Sequence, residues 1–244
     1  MGESTFFLVQ GLFLPSAEKS SRHLTNAMKE RATAIEEHGD ALGVLGYEQI
    51  SGANREMANR FLRLARGTAQ AVDAVEVFEV DKKRLRRSLT KKSGRDDWQA
   101  MACCAGYGFD ASRCFILMGR LRLLVDGPVT GQRVLWFGRG LHSLSDDEFI
   151  EHYTGHHGPL VARNAEVLGI RRYQQVANDE DELCDPLREL GLGQAQPPPV
   201  FAELAMGAPP LNLKSLRARR SATQAIKTDE KRHIDFPASM LLLA

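Results

Sequence analysis

The chain has 244 residues, enough for one large domain or two domains of roughly 120 residues each. Hydrophobic residues make up 43% and charged residues 26% of it. This balance is typical of soluble globular proteins and excludes disordered, collagen-like and disulfide-scaffold classes. The 32 basic and 31 acidic side chains leave a formal net charge of +1. The charge therefore predicts neither a nucleic-acid partner nor a membrane partner.

The cysteines and the first residues predict a cytoplasmic protein. No cysteine pair has CxxC spacing, and the adjacent Cys103 and Cys104 are poorly placed for an ordinary disulfide, which favours a reduced compartment. The apolar residues 6–14 are interrupted by Gln10 and preceded by Glu3, so they indicate a strand and not a signal peptide. No apolar run reaches the about 20 residues that a membrane-spanning helix needs.

The first half predicts the order strand, helix, strand, strand, helix, strand. Alternating and continuous apolar runs mark the strands, and polar runs with helical periodicity mark the helices. The predicted strands are 5–13, 44–50, 75–80 and 115–125, and the predicted helices are 18–37 and 82–104. Residues 51–70 also look helical.

The second half predicts the same order of elements. Its strands are predicted at 132–138, 170–177, 201–206 and 236–243, and its helices at 149–168 and 213–232. Ser145 followed by three acidic residues is typical of a helix start, and Gly169 of a helix end.

The two halves are copies of one unit. Residues 169–175 repeat the Gly, Tyr and Gln of residues 43–49 at an offset of 126, and later segments keep nearly the same offset. We expect one domain at 1–127 and a second at 128–244. A βαββαβ unit of the α+β class is ferredoxin-like, with both helices on one face of an antiparallel sheet. Its other face must be covered by the second copy or by a second chain.

The second half resembles the EthD-like family of the dimeric α+β barrel superfamily. The resemblance rests on Tyr153 followed by the His-His-Gly-Pro-Leu of residues 156–160, and on the Gly-Ile-Arg-Arg-Tyr of residues 169–173. Asp235 matches the acidic residue before the last strand of that family. The resemblance covers 132–243 well, and the first half only as a divergent copy. It implies tandem ferredoxin-like repeats in a dimeric α+β barrel arrangement, a small hydrophobic or aromatic ligand and a homodimer.

The helix of this motif carries the predicted catalytic residues. Phe149, Tyr153 and His157 recur at a spacing of four, so they share one face of the helix. Histidine has the side-chain pKa nearest neutrality, and a phenol beside it makes a plausible acid/base pair. We expect His157 to be the acid/base group, assisted by Tyr153 or His156. A buried histidine bonded to a carbonyl, without chemistry, explains the same pattern.

The remaining predicted site residues would bind the substrate. An aromatic substrate could stack on Trp136, an anionic substituent could pair with an arginine, and Asp235 could orient a histidine. As strand residues, several of these are as well explained by packing. The predicted binding residues are Trp136, Phe149, Arg163, Arg171, Tyr173 and Asp235. In the first copy, Glu30 and Arg31 stand at the positions of His156 and His157, so we expect that copy only to complete the barrel.

Two further interpretations remain open from the sequence. Glu148, His152 and His156 also recur at a spacing of four and could hold a divalent metal with His142 or Asp235, although a solvated helix face explains the row better. Residues 178–199 are long for a connection and could form a lid over the cavity or be an insertion.

The function predicted from these features is that of a lyase without a cofactor. No GxGxxG follows a strand and there is no P-loop, so neither flavin nor nicotinamide is expected. The predicted reaction is decarboxylation or dehydration of a small aromatic or polyketide-like compound. The alternatives are a non-catalytic hydrophobic-ligand binder or accessory subunit, a cofactor-free monooxygenase or cyclase of the same superfamily, and a metal-dependent variant.

Overall fold

The computed structural model describes residues 5–15, 21–52, 70–178, 182–210 and 212–244. Among these residues no helix is both long and apolar enough to cross a membrane. The chain forms two compact units whose segments alternate along the sequence. Unit 1 comprises Met1–Ser51, Val72–Arg120 and Asn178–Pro197, and unit 2 comprises Gly52–Ala71, Leu121–Ala177 and Pro198–Ala244.

Each unit combines helices with a mainly antiparallel sheet, which confirms the α+β class. The elements in chain order are β1 (Thr5–Leu12), α1 (Ser21–Leu42), β2 (Val44–Ser51), β3 (Gln70–Ala71), β4 (Ala74–Asp81), α2 (Lys82–Leu89), α3 (Lys92–Ala102), β5 (Phe115–Gly119), β6 (Leu121–Val125), β7 (Gln132–Gly138), α4 (Asp146–His152), a π-helical turn (Tyr153–His157), α5 (Gly158–Arg163), α6 (Ala165–Leu168), β8 (Ile170–Ala177), α7 (Cys184–Glu189), β9 (Val200–Met206), α8 (Leu213–His233) and β10 (Met240–Leu243).

The sheet of unit 1 has the strand order β2-β4-β1-β5 and is antiparallel throughout. This is the order expected of a ferredoxin-like unit. Its core holds Phe78 and Trp98, both without solvent exposure, with their rings 6.3 Å apart. Asp81 begins α2 by accepting hydrogen bonds from the backbone N–H groups of Lys83 and Arg84.

The sheet of unit 2 repeats this order as β10-β7-β9-β8 and extends it at both edges with β3 and β6. The strand register also repeats. Gln10 pairs with Glu76 in unit 1, and Trp136 pairs with Ala202 in unit 2, so each residue has its counterpart 126 positions later. The strands thus keep the offset seen in the sequence.

The strand predicted at 115–125 divides into two strands of different sheets. β5 pairs with β1 in unit 1, whereas β6 pairs with β8 in unit 2. The two are separated by the exposed Arg120. Apolar periodicity could not show this division, because it reports burial and not which neighbour supplies the hydrogen bonds.

Two predicted helices are also interrupted, and one strand is shorter. The helix predicted at 82–104 breaks after Leu89 into α2 and α3, and that at 149–168 contains the π-helical turn and a break at Asn164. The last strand covers Met240–Leu243 only. The helical segment expected at 51–70 falls largely on 53–69, outside the described residues.

Residues 182–197 belong to unit 1. Leu183, Leu187, Leu190 and Leu192 are buried in the same cluster as Phe78 and Trp98. Burial of these four leucines removes them from water and anchors the segment. The described part of this segment is therefore part of the core of unit 1.

Candidate functional site

Unit 2 contains a cavity of about 550 Å³ between one face of its sheet and the helices that cover it. Alternate residues of β7 point into it, as expected of a strand with one face toward the cavity. Most of the surface is apolar, which suits a small hydrophobic ligand. The lining residues are Gln132, Val134, Trp136, Tyr153, His157, Val161, Leu168, Ile170, Tyr173, Leu204, Met206, Gly207, Pro209, Thr223, Ile226, Lys227, Glu230, Ile234, Phe236 and Leu241.

A capped helix start followed by a π-helical turn carries the histidine motif. Ser145 and Glu148 form a reciprocal capping box at the start of α4. Within the next turn, the N–H of Gly158 bonds the carbonyl of Tyr153, five residues earlier. Single π-helical turns of this kind are frequent at functional sites. Pro159 follows directly, in the first turn of α5, where its missing N–H costs little.

The motif residues stack along the helix as their spacing predicts. The ring of Tyr153 lies 5.5 Å from that of Phe149 and 4.8 Å from that of His157. His157 is only 5% exposed. Phe149 is fully buried, packs beside Gly138 and Gly140, and does not line the cavity. It supports the site by packing against the ring of Tyr153.

His157 is hydrogen-bonded to the carboxylate of a residue that is distant in the sequence. Its Nδ1 lies 2.8 Å from Oδ2 of Asp229, a residue of α8 that is 72 positions away in sequence. This bond orients the ring and leaves Nε2 as the nitrogen that can exchange a proton with a molecule in the cavity. The pair has the geometry of a base and the group that orients it.

Asp229 is ionised in this setting. Burial raises its pKa, but the hydrogen bonds and charges of His157 and His152 outweigh burial and hold the pKa below its usual value. Oδ1, the second oxygen, lies 2.9 Å from Nε2 of His152. Burial also lowers the pKa of His152, which favours its neutral form. The carboxylate of Asp229 therefore binds the imidazole rings of both His157 and His152. Of these two rings, only that of His157 lines the cavity.

Two phenols line the cavity beside His157. The hydroxyls of Tyr153 and Tyr173 are hydrogen-bonded to each other, and Nε2 of Gln175 donates to Oη of Tyr173. Burial raises the pKa of both tyrosines, so both are protonated at neutral pH. Tyr173 accepts from Gln175 through Oη and keeps its own O–H as a donor on the cavity wall. Gln175 in turn packs against Gly158, where an added Cβ would lie 2.7 Å from its Nε2.

Charged groups on α8 add polarity to one side of the cavity. Lys227 and Glu230 both line it, one turn apart, together with Thr223. An ammonium group in a largely apolar cavity can pair with an anionic substituent of a ligand. Sequence reasoning missed both residues, because the polar composition of α8 resembles that of a solvated helix.

The structure places four other predicted site residues outside the cavity lining. Arg163 and Arg171 are exposed, and Nη1 of Arg171 donates to Oγ1 of Thr130. Asp235 accepts from the N–H of Ala238 in a turn. His156 is more than half exposed, with its Nε2 3.6 Å from Oδ1 of Asp229. Of the predicted set, Tyr153, His157, Trp136 and Tyr173 come together around the cavity.

The row of Glu148, His152 and His156 is not brought together as a ligand set. The Glu148 carboxylate accepts from the N–H and the hydroxyl of Ser145 in the capping box, which lowers its pKa. His142 lies 3.7 Å from Asp235, so these two proposed third ligands face each other.

Asp229 is the main residue that sequence reasoning missed, and His233 was not among the predicted site residues either. The ring of His233 stacks on that of His152 at 3.4 Å, and its Nδ1 bonds the backbone carbonyl of Asp229 at 3.0 Å. A usable signal existed. Asp229 stands seven residues after Ala222 and four before His233, so the spacing places these three residues on one face of the helix.

The equivalent position in unit 1 is occupied by a buried ion pair. Arg31, the counterpart of His157, has no solvent exposure, and its Nε lies 3.0 Å from both carboxylate oxygens of Glu76. Nη2 donates to Oε1 of Gln10 at 2.8 Å. Tyr47 and Gln49, the counterparts of Tyr173 and Gln175, both donate to Glu76. Burial lowers the pKa of Arg31, but Glu76 outweighs it and raises that pKa.

A family model matches part of the chain. Residues 141–237 match the model of the EthD domain, the family that the sequence of this half resembles. No curated protein sequence matches the chain.

Several solved structures are similar to this chain at low sequence identity. A candidate monooxygenase of Fusobacterium nucleatum subsp. nucleatum is 10% identical over 100% of this chain and 92% of its own, with a TM-score of 0.49. The chlorite dismutase of Candidatus Nitrospira defluvii is 9% identical over 99% and 92%, with a TM-score of 0.47. A heme-binding protein of Thermus thermophilus is 10% identical over 98% and 90%, with a TM-score of 0.43.

Proposed function

We propose that unit 2 is a lyase that works without a cofactor, decarboxylating or dehydrating a small aromatic or polyketide-like compound by acid/base catalysis at His157. The observation that carries the proposal is the bond from Nδ1 of His157 to Asp229, with the ring lining an apolar cavity. Such a bond fixes one ring nitrogen and leaves the other for proton transfer.

The cavity supplies binding and orientation. Apolar residues such as Val134, Ile226 and Leu204 line it together with the ring of Trp136, and these surfaces favour an aromatic or polyketide body. Lys227 provides a charge for a carboxylate or phenolate, the role that sequence analysis gave to Arg163 or Arg171. The volume of about 550 Å³ suits a small molecule.

The proton steps follow from the polar groups. In dehydration, His157 removes a proton from the carbon next to a carbonyl, a C=C bond forms, and hydroxide leaves with a proton as water. In decarboxylation, the bond to the carboxylate breaks, CO₂ leaves, and the carbanion takes a proton from the imidazolium. In both, the Tyr173 hydroxyl donates to the oxygen where negative charge develops, which lowers the barrier.

A non-catalytic binder of hydrophobic ligands is the second candidate function. The preponderance of apolar groups in the lining favours it. In that case the His157–Asp229 pair would be a satisfied buried contact without chemistry. The two functions differ in what the replacement of His157 does to binding and to turnover.

Thermal unfolding against a panel of aromatic acids, phenols and short polyketide mimics, run in chelator, tests the binding step. A ligand that binds only the native state at a hundredfold excess over Kd stabilises it by about 2.7 kcal/mol. If no compound raises the midpoint, the cavity proposal fails. Compounds that bind are then followed for CO₂ or water loss by mass spectrometry, with and without oxygen.

Variants separate the enzyme from the binder. We expect His157→Gln to retain ligand binding and to lose turnover by about 10²-fold or more, as for removal of an acid/base group. His142→Gln is the matched control, because that histidine side chain is 99% exposed. Full turnover in His157→Gln, oxygen-dependent turnover, or a cofactor absorption band in the active protein would each contradict the proposal.

A further inference from the structure

A second polar cluster lies beside the cavity, on the other side of Asp229. It consists of His152, His156, Asp229 and His233, called here the imidazole cluster. Three ring nitrogens surround a single carboxylate oxygen: Nε2 of His152, Nε2 of His156 and Nδ1 of His233 lie 2.9, 3.6 and 3.7 Å from Oδ1 of Asp229. The cluster contains two pairs spaced by four residues, one from each of two helical segments.

The distances from Oδ1 are near the separation between ligand atoms in a tetrahedral metal site. Ligand atoms around Zn²⁺, with bonds of about 2.0–2.1 Å, lie about 3.4 Å apart. Of the three distances to Oδ1, that from His156 is within a few tenths of an ångström of this value. Nδ1 of His233 donates to the backbone carbonyl of Asp229, which leaves Nε2 of that ring as the atom that can bind metal. The third, from His152, is a hydrogen bond that would lengthen by about half an ångström as the metal replaced its proton. The ligand atoms of His152, Asp229 and His233 all lie within 4.8 Å of one another.

The cluster is accessible and rich in imidazole. The side chains of His152 and His233 are 19% and 25% exposed and that of His156 is 60% exposed, whereas Asp229 is 8% exposed. Metal could therefore enter from solvent, with a buried carboxylate as the innermost ligand. The rings of His152 and His233 are stacked, with centroids 3.4 Å apart and planes at 14°. Because a ring nitrogen binds metal in the plane of its ring, one of these rings turns when both bind the same ion. Three nitrogens and one carboxylate form a donor set that suits zinc.

We propose that His152, His156, Asp229 and His233 bind one Zn²⁺ ion, with Oδ1 of Asp229 as the carboxylate ligand. Oδ2 keeps its bond to His157, so Asp229 links the ion to the cavity without opening a metal position inside it. The ion joins α8 to the helical segment that carries the histidine motif and stabilises unit 2. This inference does not depend on the proposed lyase activity, because it is tested by metal binding alone.

The test uses the full-length protein, stripped of metal with a chelator and then titrated with ZnCl₂. We expect one equivalent of zinc by elemental analysis, and a higher unfolding midpoint with zinc than without it. Titration with Co²⁺ should give the visible bands of a tetrahedral ion with nitrogen and oxygen ligands. A sulfur-to-cobalt charge-transfer band would instead indicate cysteine ligands and would overturn the assignment.

Asparagine variants identify the ligands. His152→Asn and His233→Asn should each weaken zinc binding by at least about tenfold, the lower end of what disturbing a metal site costs. The control His142→Asn should bind zinc as the wild type does. Circular dichroism without metal establishes that each variant is folded. Absence of bound zinc in the wild type, or equal binding in His152→Asn/His233→Asn and the wild type, would refute the site. Failure of the lyase assay would leave these results unchanged.

Discussion

Replacing Arg31 by Met should destabilise unit 1 in a pH-dependent way. The variant leaves the Glu76 carboxylate buried, with Tyr47 and Gln49 as its remaining donors. Breaking a buried ion pair by removing one partner costs about 3–5 kcal/mol. Protonation sets an upper limit, because protonating a carboxyl of ordinary pKa at pH 7 costs about 3.7 kcal/mol. We therefore expect a loss of about 3–4 kcal/mol in the free energy of unfolding at pH 7.

The pH dependence distinguishes this mechanism from lost packing. In the folded variant, the buried Glu76 carboxylate can be neutralised by taking up a proton. The loss in the free energy of unfolding relative to the wild type then shrinks by about 1.4 kcal/mol per pH unit as the pH falls from 7 toward 5. The double variant Arg31→Met/Glu76→Gln buries no charge. It should recover most of the loss at pH 7, because a buried ion pair can be replaced by neutral groups at little cost.

Urea unfolding followed by tryptophan fluorescence provides the measurement. The chain has two tryptophans, so Trp136→Phe leaves the fully buried Trp98 as the reporter of unit 1. All variants are compared in that background. A loss below about 1 kcal/mol at pH 7, or a deficit that does not change with pH, would refute the reasoning from the buried pair.

Three further outcomes follow from the geometry of unit 2. Gly158→Ala should lower the free energy of unfolding by about 1–3 kcal/mol in urea, because the added Cβ would lie 2.7 Å from Gln175 Nε2; wild-type stability would disprove the close contact. Tyr153 and Tyr173 have raised pKa values, so in a pH titration their phenolate absorbance should appear only above pH 10. The free energy of unfolding should fall as the pH rises above 10, because the tyrosines of the unfolded chain ionise first. Titration of all tyrosines near pH 10 in the folded protein would contradict this. Ser145→Ala should cost about 1 kcal/mol in thermal unfolding by removing the helix cap, and an unchanged midpoint would show that the cap contributes nothing.

Local patterns determined much of unit 2 from sequence. Ser145 and Gly169 marked the ends of the helical segment, because capping and a left-handed backbone depend on neighbouring residues alone. The spacing of Phe149, Tyr153 and His157 placed these three rings on one face for the same reason. The offset of 126 likewise predicted the shared strand order of both units.

The candidate site was predictable only in part. Tyr153, Trp136 and Tyr173 line the cavity because strand and helix periodicity decides which side chains share a face. The same reasoning could not predict where the arginine side chains lie. Arg171 was expected in the cavity, yet its long side chain reaches Thr130 at the surface, since periodicity does not decide where a flexible charged side chain finds water and partners.

The sequence by itself determined the repeat, the fold class and the helix that carries His157. Tertiary structure alone decided that Asp229, from α8, meets both His157 and His152, and that Leu183 and Leu187 join the core of unit 1. The physical reason is that periodicity and capping act within a few residues of the chain. Hydrophobic burial has no direction, so which distant surface covers an apolar face, and which polar group accompanies it, depends on how the elements pack.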